Sequence, residues 1–250
     1  MEEKIKNIFG EKLDVLIEGN SKSNKALIFV HGFGTDKNEG FSFFLDLAEY
    51  LKDDFLTIRF DLSGYGKSEG KDYEFQFEKA ARDVDVVIKY AREHFKESEI
   101  YIIAHSFGIF AVSLLSPSNI KKVVFTSIPN ANIDFVIDEL KKRITSKGGL
   151  VDENDLTVYP RTNGEVQTIG EEFWKTIRAI NPCESIQELG SKTELVIFKP
   201  KEDDILENKY FEEYKKIKNI KYTEVNGDHN FTNESDRMSL FVSIKQFLLD

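Results

Sequence analysis

The chain has 250 residues, enough for one domain with a proper core, and its 34 Lys and Arg against 44 Asp and Glu leave a net charge of −10. No basic stripe that would follow a phosphate backbone is present, which excludes nucleic acid as a partner, and the single cysteine, Cys183, excludes an intramolecular disulfide and fits a reducing compartment. No apolar run approaches the roughly 20 residues of a membrane span, and Met1-Glu2-Glu3-Lys4-Ile5-Lys6 does not lead into the apolar stretch of a secretory signal, so a soluble cytoplasmic protein is expected.

Two alternating segments, 4–9 and 13–18, flank Gly10-Glu11-Lys12 and predict an antiparallel hairpin. From there strand and helix signals alternate: strand 26–30, helix 41–51, strand 55–60, helix 75–94, strand 100–103, helix 109–115 and strand 122–126. This alternation predicts a mainly parallel sheet covered by helices on both faces, with its ligand site beyond the carboxyl ends of the strands. The rhythm then breaks. A helix over 133–144, a Gly148-Gly149 turn, a hairpin over 156–169 around Asn163-Gly164 and a helix over 171–180 ending at Asn181-Pro182 fill about 60 residues before strands resume at 194–198 and 222–225. An excursion of that length in a compact domain is usually functional. The expected organisation is one domain, 1–250, with a cap inserted over 130–192.

The chemistry-bearing residues fall where the strands end. Ala104-His105-Ser106-Phe107-Gly108 runs from an apolar strand straight into a helix, with small residues two before and two after the serine. Such a turn pushes a serine hydroxyl out of the sheet and leaves the following N–H free to face an oxyanion. Ser106 is the expected nucleophile; the plainer reading is a helix N-cap. After the strand 194–198 come Glu202, Asp203 and Asp204, and after the strand 222–225 comes His229, the expected general base. The order of nucleophile, acid and histidine, each on its own loop, is that of one serine-hydrolase class and differs from the two other well-known orders.

Upstream, His31-Gly32-Phe33-Gly34 and Asp61-Leu62-Ser63-Gly64-Tyr65-Gly66-Lys67-Ser68 complete the pattern. With these residues the chain resembles the α/β-hydrolases over nearly its whole length. The resemblance implies an eight-stranded, mostly parallel sheet flanked by helices with a small cap insertion. It also implies an oxyanion hole from the N–H groups of Phe33 and Phe107, and structural roles for His31 and Asp61. Family spacing, an acid followed by one residue and then by Ile205-Leu206, selects Asp203 over Asp204, although Pro200 stands where the family has glycine. The excursion is similar to that of cinnamoyl and feruloyl esterases and related carboxylesterases.

The implied activity is hydrolysis of a small-molecule carboxylic ester through an acyl-enzyme. Thioester or amide hydrolysis on the same residues, and a non-catalytic binding protein of this fold, are the alternatives. Tyr159, Phe173 and Trp174 are the candidate substrate contacts, the other reading being that they pack the cap onto the core. Arg161 and Arg178 read as surface charges, against contact with a substrate carboxylate. His105 is expected to pack beneath the turn, and His94 to be solvated. No Cys/His cluster has zinc spacing, and Gly64-Tyr65-Gly66 is too short for a dinucleotide fingerprint, so neither metal nor cofactor is expected. A second copy of the chain remains an admissible partner.

Overall fold

The computed structural model describes residues 1–95, 98–115, 119–161, 164–203 and 209–250. The chain opens on an antiparallel hairpin of β1 (Glu2–Lys6) and β2 (Lys12–Gly19). Strands and helices then alternate through β3 (Lys25–Val30), α1 (Phe43–Leu51), β4 (Leu56–Phe60), α2 (Phe77–His94), β5 (Glu99–His105), α3 (Gly108–Ser113) and β6 (Ile120–Thr126). The chain leaves the sheet through α4 (Ile133–Ser146), β7 (Thr157–Pro160), β8 (Val166–Ile169), α5 (Glu171–Ala179) and α6 (Pro182–Gly190). It returns with β9 (Glu194–Pro200), α7 (Glu212–Lys215), β10 (Ile220–Val225) and α8 (Glu234–Leu249).

Eight strands form one sheet in the order β1-β2-β4-β3-β5-β6-β9-β10. The pairs β1–β2 and β2–β4 are antiparallel and every later pair is parallel, as the alternation predicted. Central strands of such a sheet are buried on both faces, which is why β3 reads Ala-Leu-Ile-Phe-Val without alternation. Leu27 and Phe29 pack with α1 and α8 on one face. Ala26, Ile28 and Val30 pack with α2 and α3 on the other. In α2 the buried Phe77, Ala80, Ala81, Val84, Val87, Ile88 and Ala91 form one stripe at helical spacing.

Two differences from the expected elements have local causes. Helix α2 starts at Phe77 because Asp72–Glu74 forms a single 3-10 turn and Phe75 and Gln76 are extended. Asn181-Pro182, taken as the end of a helix, also begins one: the Asn181 side chain accepts the Glu184 N–H and Pro182 occupies the first turn of α6, where a missing N–H costs nothing. The turn expected at Asn163-Gly164 lies partly outside the described residues, but β7 and β8 on either side pair antiparallel as a separate two-stranded unit. That unit is tied to the loop after β4. The Thr168 N–H and hydroxyl both donate to Asp72 at 2.6 and 2.7 Å, and the Gln167 amide donates to the Tyr65 hydroxyl at 3.1 Å. Among the described residues no helix is long and apolar enough to cross a membrane.

Candidate active site

Because β3, β5, β6, β9 and β10 run parallel, the loops that follow them gather at one edge of the sheet. β5 ends at His105, and Ser106 takes φ 50°, left-handed backbone that costs a non-glycine residue about 1–3 kcal/mol. The bend is held by the Ser106 N–H donating to the Thr126 carbonyl at 3.1 Å and by the Ile109 N–H donating back to the Ser106 carbonyl at 3.0 Å. Ala104 is fully buried beneath it. Gly108 cannot carry a side chain, since a Cβ there would run into the backbone carbonyl oxygens of His31 and Val30. Gly108→Ala is therefore expected to destabilise the fold by about 1–3 kcal/mol, read as a lowered urea midpoint at unchanged slope. A midpoint equal to wild type would show that the β3 and α3 backbones yield without cost.

The histidine loop after β10 and the acid loop after β9 are knitted together. Lys201 N–H donates to the Val225 carbonyl, Glu202 N–H to the Gly227 carbonyl, and Gly227 N–H to the Glu202 carboxylate at 2.7 Å. His229 is 4% exposed. Its Nδ1 lies 3.1 and 3.0 Å from the two Asp203 carboxylate oxygens and its Nε2 lies 3.1 Å from Ser106 Oγ. A carboxylate only accepts, so Nδ1 carries the proton and Nε2 is left to accept from the serine hydroxyl. Ser106, Asp203 and His229 are thus brought into one line. Asp204 lies outside the described residues.

The loop after β3 supplies the opposite wall. Among the described residues neither the Phe33 nor the Phe107 N–H is given to a protein acceptor. The neighbouring Gly32 N–H donates instead to the Glu39 carboxylate at 2.5 Å, and Glu39, at φ 60° and almost fully buried, also accepts the Gly40 N–H. His31 is stapled in place by its Nδ1 on the Gly32 carbonyl at 2.8 Å and by its Nε2 accepting the Leu62 N–H at 3.0 Å. Asp61 accepts the N–H groups of Lys37 and Lys67 and the Lys37 ammonium, all at 2.7–2.8 Å, which braces two loops. His105 sits behind the turn with Nδ1 2.9 Å from the Thr126 hydroxyl and its ring edge-on to His229. Burial holds its imidazole well below the ordinary value, and the nearby His229 pushes the same way.

These groups open into a cavity of about 880 Å³ whose wall includes Phe33, Ser106, His229, Phe135, Tyr159 and Gln167. Of the three aromatic candidates Tyr159 lines it. Phe173 and Trp174 do not: both are fully buried, Phe173 packed 4.9 Å from the Phe33 ring and Trp174 donating its Nε1–H to Thr157. Helix α5 turns Phe173, Trp174 and Ile177 toward the core, so their bulk fixes the excursion in place. Arg178 pairs with Glu153 on the surface. Two positioning groups carry no sequence signal. Ser127, at φ 54°, donates its hydroxyl to the His229 carbonyl at 2.7 Å. Arg237 in α8 donates to the carbonyls of Asn230, Phe231 and Phe41, joining the histidine loop to the loop before α1. Among the described residues no group of three His, Cys, Asp or Glu side chains is arranged to hold a metal ion.

A model of the alpha/beta hydrolase fold matches residues 25–163. Among solved structures, Est1E from Butyrivibrio proteoclasticus with ferulic acid bound superposes with a TM-score of 0.77 at 20% identity, over 99% of this chain and 98% of that one. The Pyrococcus furiosus esterase PF2001 gives 0.76 at 18% identity, over 99% and 89%. The esterase domain of a Rhodothermus marinus protein gives 0.72 at 15%, over 99% and 96%. At these identities the likeness is one of fold. No curated protein matches in sequence.

Proposed function

The chain belongs to the alpha/beta hydrolase fold family, and from that footing we propose that it is a serine hydrolase cleaving small-molecule carboxylic esters, with Ser106, His229 and Asp203 as its catalytic triad. The observation that carries this reading is His229 standing between the Ser106 hydroxyl at 3.1 Å and both oxygens of Asp203 at 3.0–3.1 Å. Named esterases among the structural neighbours support ester chemistry over other reactions of the fold.

In this reading Ser106 Oγ attacks the ester carbonyl carbon while His229 Nε2 takes its proton. Negative charge passes to the carbonyl oxygen, and the N–H groups of Phe33 and Phe107 receive it. A preorganised donor aimed at that position contributes about 3–4 kcal/mol. The imidazolium then protonates the departing alcohol, leaving acyl-Ser106, and water attacks by the same route with His229 again as base. Asp203 holds the tautomer and offsets the imidazolium charge without taking the proton. Glu39 keeps the Gly32 N–H occupied, so the peptide that follows is presented in one orientation. Residues 130–192 act as a cap that closes the site from above and sets which ester enters. The single cysteine is consistent with a cytoplasmic location.

Reaction of the purified protein with a fluorophosphonate probe tests the proposal. Stoichiometric labelling that requires Ser106, together with turnover of short aryl esters, is expected. A well-folded sample that neither labels nor turns over any ester, thioester or amide overturns the reading in favour of a binding protein.

A further inference from the structure

Two guanidiniums on the cavity wall, those of Arg161 and Arg143, form no ion pair among the described residues. Arg161 follows β7 and projects against the loop that bears Phe33: a methyl group placed on Gly34 would fall on the Arg161 guanidinium and on the Gln167 side-chain oxygen. The guanidinium is held from behind by neutral groups. Its Nη1 donates to Gln167 Oε1 at 3.2 Å, Gln167 Nε2 donates to the buried Tyr65 hydroxyl, and its plane lies over the Tyr159 ring, 5.4 Å from the centroid. Arg143, from the last turn of α4, lines the same cavity and is half-buried. The Lys147 ammonium reaches the Tyr159 ring at 5.6 Å. Lys147 is lowered from its ordinary value first by burial and then by repulsion from Arg143 and Arg161.

Among the described residues five carboxylates line the cavity, those of Asp36, Glu39, Asp72, Glu139 and Glu165, and the first four have these partners. Glu39 accepts from Gly32 and Gly40, Asp72 from Thr168, Asp36 from the Asn38 N–H, and Glu139 from Lys142. Among the described residues no carboxylate pairs with Arg143 or Arg161. In a chain of net charge −10, with acidic side chains abundant, two half-buried guanidiniums that line a cleft and are ion-paired to no carboxylate among the described residues are donors suited to an anion.

We infer that the ester cleaved here carries an anionic group, a carboxylate set apart from the scissile carbonyl, and that Arg161 and Arg143 bind it. This rests on the hydrolase reading above. The planar fork of Arg161, backed by Gln167 and Tyr159, is preorganised for a two-pronged contact, and its place beside Gly34 sets the distance between the bound anion and the carbonyl over Ser106. Neutral esters of equal size forgo that contact.

The test compares 4-nitrophenyl monoesters of adipic and suberic acid with the same esters whose distal carboxylate is replaced by a primary amide. A third pair, 4-acetoxybenzoate and 4-acetoxybenzamide, places the charge on the leaving group and shows which side of the ester bears it. In the wild type one carboxylate ester is expected to exceed its amide in kcat/KM by about tenfold or more, chiefly through KM. The ratio falls as salt is raised. Arg161→Gln brings it to about one, Arg161→Lys keeps part of it, and Arg178→Gln, outside the cavity wall and paired with Glu153, leaves it unchanged. Titration of Ser106→Ala with the same esters by calorimetry reads the preference without turnover. A wild-type ratio at or below one in all three pairs, or an equal loss on charged and neutral esters in Arg161→Gln, overturns the inference while leaving the hydrolase reading intact. Absence of probe labelling and of turnover on every ester overturns that reading instead, and the calorimetric preference then decides the anion site alone.

Discussion

Ser106→Ala is expected to lower kcat by roughly a million-fold on any ester the protein cleaves, because nucleophile and base act as a unit and loss of either costs nearly the whole of their joint effect. The fold should scarcely register the change. Among the described residues the hydroxyl makes one hydrogen bond, to His229 Nε2, and the side chain is only half-buried. The cost or gain in stability should stay within about 1 kcal/mol. Kinetics on the best aryl ester, with a urea titration of the same preparation, separates the two quantities. A variant that keeps a tenth of wild-type kcat would sink the proposed nucleophile.

Asp203→Asn is expected to cost about 10⁴ in kcat with KM little changed. The amide nitrogen of asparagine is a donor, and opposite Nδ1 it favours the imidazole form whose proton sits on Nε2. That form has nothing with which to accept from Ser106. The loss is therefore one of tautomer rather than of distance, and the variant should still label slowly with a fluorophosphonate. Asp204→Asn should change kcat only a few-fold. Equal losses in the two variants, or the larger loss at position 204, would move the acid by one residue.

The parts of this molecule legible in its sequence are those whose chemistry is local. A serine flanked by Ala104 and Gly108 between an apolar strand and a helix can be read because close backbone approach restricts both neighbours, and the Gly108 contact with the Val30 and His31 carbonyls is that restriction made concrete. The strand run 26–30 reads correctly because burial on both faces removes polar residues altogether. What stayed hidden depends on partners distant in the chain. Phe173 and Trp174 are aromatic and lie in the excursion, but whether a helix face meets a cavity or a core is decided by the element it packs on, here the Phe33 loop. Arg161 looks like any surface arginine until Gly34 and Tyr159 are placed beside it. Nothing near residue 237 or residue 127 announces that Arg237 and Ser127 hold the histidine loop. The start of α6 was legible in principle: Asn181 followed by Pro182 is a helix opening as well as a helix ending.

The distance along the chain between the two groups that must meet has a consequence for synthesis. Ser106 and His229 are separated by 123 positions, and the strands that carry the acid and the histidine are the last two of the sheet, stacked outward from β6. At about 5–20 residues per second, roughly 6 to 25 seconds of translation divide the emergence of Ser106 from that of His229. The central β3–β5–β6 platform, with its bent serine turn, belongs entirely to the earlier portion. Under the proposed mechanism, an unfinished polypeptide that lacks these two strands has Ser106 without its base, and reactivity toward acyl groups is acquired only as the final edge of the sheet is laid down.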